Sequence, residues 1–149
     1  MKNTETVPAS INLNELISRL ISSYQPLAEQ QKSFFINDVP TGLLLAADRE
    51  VLSTLLGSLF YIAARSSRNN AIRVYANTYE DRAVISMSDN SPSGTYGILY
   101  EFQHLQLLSK ELCGFLEINN YRNKETVISF NFHNPLPIQT AVIRELKIA

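Results

Sequence analysis

Leu13, Leu16, Ile17, Leu20, Ile21 and Tyr24 recur at intervals of three and four residues, the spacing of one helix face. Asn12, with Glu15 three residues on, has capping-box spacing and marks where that helix starts. Pro26 has no amide hydrogen to donate and is expected to kink or interrupt the helix, with Leu27 to Lys32 adding a further turn or two. A short strand is expected at Phe34 to Ile36. Asp48 can cap a second helix, in which Leu52, Leu55, Leu56, Leu59 and Ala63 line one face and the polar run Ser66 to Asn70 ends it. The period then changes to two. Ile72, Val74 and Ala76 alternate with Arg73, Tyr75 and Asn77, and after a turn at Glu80 and Asp81, Ala83, Ile85 and Met87 alternate with Val84, Ser86 and Ser88, which predicts a β-hairpin. Leu105, Leu108 and Leu112 mark a third helix stopped by Gly114. Leu116 and Ile118, with Ile128, Phe130 and Phe132, predict a second hairpin across a polar turn around Asn123.

Hairpin-built strands have helices available for only one face, which favours an α+β fold over a doubly wound parallel sheet. The expected architecture is a two-layer α/β sandwich: a mixed, mostly antiparallel sheet covered on one face by about three helices. The other face must be solvated or partnered. A chain of 149 residues suits one domain with its own core. A flexible N-terminal segment is expected over residues 1–10, the globular domain over 11–135 and an amphipathic tail over 136–149, with Ile138, Val142, Ile143 and Leu146 as its apolar positions. That tail either packs on its own domain or meets a partner.

Thirteen Lys and Arg against fourteen Asp and Glu leave a net charge of −1, which offers no basic field to nucleic acid or to an anionic membrane. No apolar run approaches the roughly 18 residues that a membrane span needs, and the N-terminus has no signal-peptide core, so a cytoplasmic location is expected. With Cys113 the sole cysteine and His104 and His133 the two histidines, neither an internal disulfide nor a multi-ligand Cys/His metal site is expected. His104 as a phosphoacceptor and Cys113 as a nucleophile each lack an evident acid or base partner in the sequence.

Four blocks carry a resemblance: INLNELISRLISSYQPLAEQQ, DREVLSTLLGSLFYIAARSS, AVISMSDNSPSG, and LCGFLEI followed by ETVISFNF. Their order resembles the ATP-binding catalytic domain of sensor histidine kinases over about residues 11–135. The resemblance implies the Bergerat fold, shared with Hsp90-like, MutL-like and gyrase-type ATPases. It also implies an asparagine box of the form NLxxNAxK on the second helix, whose second Asn holds the Mg²⁺ that bridges the nucleotide phosphates. Here the matching stretch runs from Ser58 to Arg65, and Ile62 stands at the Mg²⁺-ligand position. A hydrocarbon cannot replace an oxygen ligand for a hard cation. At about 100° per residue, Ser58, Ile62 and Arg65 share a face turned away from the leucine face, the side a nucleotide would meet. Arg65 keeps a cation able to reach phosphate.

The block from Ser88 to Gly94 resembles the DxGxG motif, whose Asp binds the adenine amino group in the family. Asp89 is kept, while Ser91 and Ser93 replace the glycines. The family's lid and its GxGL box give way to the ten residues Thr95 to His104, read as a connection too short for a lid. Thr126 matches the threonine of the closing strand. The residual nucleotide set is thus Asp89, Arg65, Ser58 and Thr126. The resemblance implies a degenerate domain with no metal, no catalytic residue and no cofactor expected, ATP or ADP binding weakly if at all. Its implied partner is a response regulator or a histidine kinase, and a homodimer stays open. Contact candidates are Tyr61, Ile62 and Arg65 and the tail positions Val142, Ile143 and Leu146, with Ile62→Asp expected to weaken partner binding and spare the fold. The alternatives are a residual ATP/ADP-binding switch, or an active kinase that phosphorylates a partner in trans.

Overall fold

The computed structural model describes residues 10–90, 95–121 and 125–135. Along the chain these form β1 (Ser10–Asn12), α1 (Leu13–Gln30), β2 (Phe34–Asn37), β3 (Leu44–Ala46), α2 (Arg49–Ser66), β4 (Ala71–Tyr79), β5 (Arg82–Asp89), α3 (Thr95–Lys110), β6 (Gly114–Tyr121) and β7 (Glu125–His133). Five strands make one sheet in the order β2-β4-β5-β7-β6. β2 runs parallel to β4, and the other neighbours are antiparallel. The three helices cover one face, so the two-layer α/β sandwich expected from the pattern is the fold.

The alternation along the strands decides what faces the helices. Ile72, Val74, Ala83, Ile85, Met87, Leu116, Ile128, Phe130 and Phe132 are all buried in one core with Leu52, Leu55, Leu56 and Phe60 of α2. Phe35 stacks on Phe60 with ring centroids 4.8 Å apart, and Phe130 on Phe132 at 4.7 Å. The opposite face carries polar pairs across β5 and β7. Ser86 and Ser129 hydroxyls lie 3.1 Å apart, Arg82 Nε donates to Asn131 Oδ1 at 2.6 Å, and Ser88 Oγ donates to Glu125 Oε2 at 2.7 Å.

Several local expectations change. Pro26 does not interrupt α1, which runs through it to Gln30. The turn beyond it is held by tertiary contacts: Ala28 is fully buried, its carbonyl accepts from the Gln31 and Ser33 amides at 2.9 Å, and Gln25 Oε1 accepts from the Phe35 amide at 3.1 Å. These offset a proline penalty of about 3 kcal/mol. The segment Thr95 to His104 is the first part of α3, not a connection. Leu112 lies beyond α3 in a turn, and Cys113, with φ 56°, closes that turn in the left-handed conformation. Gly114 instead opens β6, where a Cβ would collide with the Asn131 carbonyl and come within 2.7 Å of Phe132 Cβ. A two-stranded antiparallel pair, β1 with β3, was not foreseen; Ile11 and Leu45 in it are fully buried. The turn around Asn123, residues 1–9 and the tail 136–149 lie outside the described residues.

Candidate functional site

α2 is the element that positions the site. Asp48 caps it by accepting from the Val51 amide at 3.0 Å, and the helix closes where the Ser67 amide donates to the Ala63 carbonyl at 2.9 Å. Its neighbours α1 and α3 both pack against it, so it is enclosed on more than its leucine face. The consequence falls on Ile62, which is 2% exposed and belongs to the hydrophobic core. The expectation that Ile62 stands clear of the core is therefore corrected. Phe60 and Ile62 widen the buried arc of α2 on either side of Leu52, Leu55, Leu56 and Leu59.

Ile62 also forms part of the floor of a cavity of about 1010 Å³ among α1, α2 and α3. Tyr24 reaches in from α1; Ser53, Thr54, Gly57, Ser58 and Tyr61 border it from α2; Gln103, His104 and Leu105 close it from α3. Among these described residues the polar groups are hydroxyls, an amide and an imidazole, with no carboxylate, lysine or arginine. Thr54 and Ser58 are four residues apart, one turn of helix, and this polar stripe within a leucine-rich helix was readable in the sequence. Tyr24 was not, because its helical spacing read simply as core.

The four residues expected to hold a nucleotide fall in three places. Ser58 lines the cavity. Arg65, one turn beyond Tyr61, lays its guanidinium 5.0 Å from that ring's centroid, and Tyr61 is 43% exposed. Asp89 and Thr126 stand directly opposite each other at the ends of β5 and β7. Asp89 Oδ1 accepts from Ser67 Oγ at 3.2 Å, Ser67 Oγ accepts from Ser33 Oγ at 3.0 Å, and Ser33 Oγ accepts from the Asn70 amide at 3.3 Å. Ser67 is fully buried and Ser33 is 2% exposed, so this chain of hydroxyls ties β5 to the C-terminal end of α2 and the start of β2. Ser67 lies nine residues beyond Ser58, about 13 Å along the helix axis. Sequence reasoning missed Ser33 and Ser67, which look like ordinary turn residues until the fold brings them together. Ser91, Ser93, Val142, Ile143 and Leu146 lie outside the described residues.

His104 sits exposed at the cavity edge, while Cys113 is an exposed free thiol in the turn after α3. No helix among the described residues is long and apolar enough to cross a membrane.

No family model matches the sequence, and no curated protein matches it. Comparison of folds gives a different result. The histidine kinase AdeS of Acinetobacter baumannii superimposes with a TM-score of 0.74 at 11% identity, over 88% of this chain and 70% of that one. The catalytic domain of the histidine kinase ThkA gives 0.71 at 18% identity, over 85% of this chain and 96% of that domain. ThkA in complex with the response regulator protein TrrA gives 0.68 at 19% identity, over 85% of this chain and 41% of that one. The fold of this chain is that of the histidine kinase catalytic domain.

Proposed function

We propose that this chain is a degenerate histidine-kinase-type domain that acts as a non-catalytic protein-interaction module in two-component-type signalling, with a response regulator or a histidine kinase as its partner. The observation that carries this reading is Ile62. It stands at the position matched to the Mg²⁺ ligand, on the floor of the cavity, and offers no lone pair to a cation. No lysine or arginine stands among the described lining residues to balance a triphosphate. The hydrocarbon at Ile62 and the lack of a carboxylate, lysine or arginine among the described lining residues support a reading without bound magnesium nucleotide. Support for the partner class comes from the fold shared with ThkA, a kinase known in complex with a response regulator protein. The contact surface of the proposal is the exposed rim formed by Tyr61 and the Arg65 guanidinium that stacks on it.

The test is thermal unfolding of the chain with ATP and with ADP, each with and without Mg²⁺, confirmed by calorimetry. A ligand at about 100 times its Kd stabilises by roughly 2.7 kcal/mol, several degrees for a domain of this size. The expected result is no change at millimolar nucleotide. A rise of several degrees supports the second reading, a residual ATP/ADP-binding switch. That reading is favoured by the cavity's volume, about 1010 Å³, at the upper end of the roughly 300–1,000 Å³ of small-molecule sites.

A further inference from the structure

The three helices cover one face of the five-stranded sheet, and by strand alternation Phe34, Tyr79, Phe115 and Tyr121 all stand on the open face. They are 43–60% exposed and make up four of the six large apolar side chains that stand exposed among the described residues. That concentration marks a surface for association rather than for solvent. The four sit on the flanking strands β2, β4 and β6. Between the flanks, β5 and β7 present Ser86, Ser88, Val127 and Ser129, and Ser86 and Val127 are only 6% and 8% exposed. The face is a trough with aromatic walls and a floor of short side chains.

Charge is segregated across the trough. On β4, Arg73 donates through Nε to Asp38 and lies 4.9 Å over the Tyr75 ring, with more than half of its side chain exposed. On the other side, β7 and β6 carry Glu125 and Glu117, and the ion pairs among the described residues include neither. Both edges of the sheet are covered. Gln25 Oε1 accepts from the Phe35 amide on β2, and the Gln106 side chain pairs with both backbone groups of Leu116 on β6. A partner therefore meets the face and does not add a strand.

We propose that the open face binds a second copy of this chain, sheet on sheet, about a two-fold axis that runs along β5. The axis lays β4 of each copy across β7 of the other, and β2 across β6. In the observed registers Tyr75 then falls on Ser129 of the second copy, Arg73 beside its Glu125 and Phe34 on its Tyr121. A large ring meets a short side chain, a cation meets a carboxylate, and the symmetry makes each contact twice. Arg82 lies near the axis, but its Nε donates to Asn131 Oδ1 at 2.6 Å, which holds the guanidinium toward β7 and away from its own copy. At about 4.8 Å between strands and about 3.3 Å per residue, the face measures roughly 600 Å², so a pair covers roughly 1,200 Å², the lower end of stable specific interfaces. Tyr61 and Arg65 belong to α2 on the helix side, so the pair presents two such rims, one from each copy. The pairing itself does not rest on the interaction-module reading.

The experiment is sedimentation of the full chain over a dilution series from about 1 mM to about 1 μM, in which the mass is expected to fall from two chains toward one. Arg73→Glu and Glu125→Arg each set like charges against one another at both symmetric contacts. Each variant alone is expected to stay at the mass of one chain where the parent is paired, with its circular dichroism unchanged. An equimolar mixture of the two is expected to recover the dimer, because every contact then joins opposite charges. Ser129→Arg, which occupies the place of Tyr75 and leaves the Arg73 and Asp38 pair intact, is expected to be monomeric as well and serves if Arg73→Glu unfolds. Leu107→Asp, on exposed α3, is expected to keep the dimer. A parent of one-chain mass throughout would overturn the proposal, as would a dimer that survives Ser129→Arg or either charge reversal alone. So would a mixture of folded variants that stays monomeric, or loss of the dimer in Leu107→Asp, which would put the contact on the helices. None of these readouts involves nucleotide, so a thermal shift with ATP that defeats the interaction-module reading leaves this result standing.

Discussion

At Ile62 two demands meet in one side chain: it fills the core, and it occupies the place at which the resemblance expects a metal ligand. Replacing it by Asp removes the buried hydrocarbon and puts a carboxylate at a core position that is 2% exposed. Ile62→Asp is therefore expected to destabilise the fold by about 3 kcal/mol or more, whereas Ile62→Val costs about 0.5–1.5 kcal/mol. Urea unfolding followed by circular dichroism reads both. A midpoint for Ile62→Asp equal to the parent's would show that the side chain opens to solvent. The misplacement of this residue in the sequence has a physical cause. A helical wheel gives the angle of Ile62 relative to Leu55 and Leu59 but not how many neighbours enclose the helix, and α2 is bordered by α1 and α3 and meets the sheet where Phe60 stacks on Phe35. The roles of Ser33 and Ser67 were illegible for a related reason. A hydroxyl relay that joins residues 34 positions apart leaves no local pattern.

Among the elements, the sheet edge at β6 shows how a helix can protect a strand. Gln106 of α3 uses its side-chain amide as an extra strand residue: Nε2 donates to the Leu116 carbonyl at 2.9 Å, and Oε1 accepts from the Leu116 amide at 3.1 Å. The single Ser109 hydroxyl proton is donated to the Gln106 carbonyl at 2.7 Å, with Gln106 Oε1 3.2 Å from the same oxygen. An edge strand without such a cover presents unpaired groups to other chains. Gln106→Ala is expected to cost about 1–3 kcal/mol, from the two groups left unpaired, and to promote self-association. Thermal unfolding and light scattering as a function of concentration check the two effects; a variant with the parent's midpoint and mass would sink the assignment. Elements of eight residues or more were legible because their periods repeat several times. β1 and β3, three residues each, are too short to show an alternation, and they exist through pairing with each other. The start of α3 was missed because Thr95 to Glu101 includes Gly97 and no clean apolar stripe, and the end of the helix was assigned to Gly114 because glycine is the usual left-handed residue there, a conformation that Cys113 takes in the turn beyond α3.

For the molecule as a whole, the fold survives at 11–19% identity to kinase structures because it depends on burial pattern, while nucleotide chemistry depends on particular atoms at particular points. The pattern is kept throughout the strands and α2; the atoms at Ile62, Ser91 and Ser93 are not those of the resembled motifs. What joins the periphery to this pattern is Asn134. It is a polar residue almost wholly buried after the last strand, and it links β3 of the small sheet to the turn between β4 and β5. Removing its side chain leaves the Ala46 amide without that acceptor beside the N-cap of α2, and a buried donor left unpaired costs about 1–3 kcal/mol. Asn134→Ala is thus expected to lower global stability by that amount. It should also accelerate hydrogen exchange at Ala46 and its β1 partner Ser10 more than at Ile85 or Phe130 in the main sheet, since the small sheet loses its tie first. Uniform acceleration at all four amides would mean that Asn134 supports the whole fold at once. No acceleration at Ala46 would mean that the small sheet is held by Ile11 and Leu45 alone.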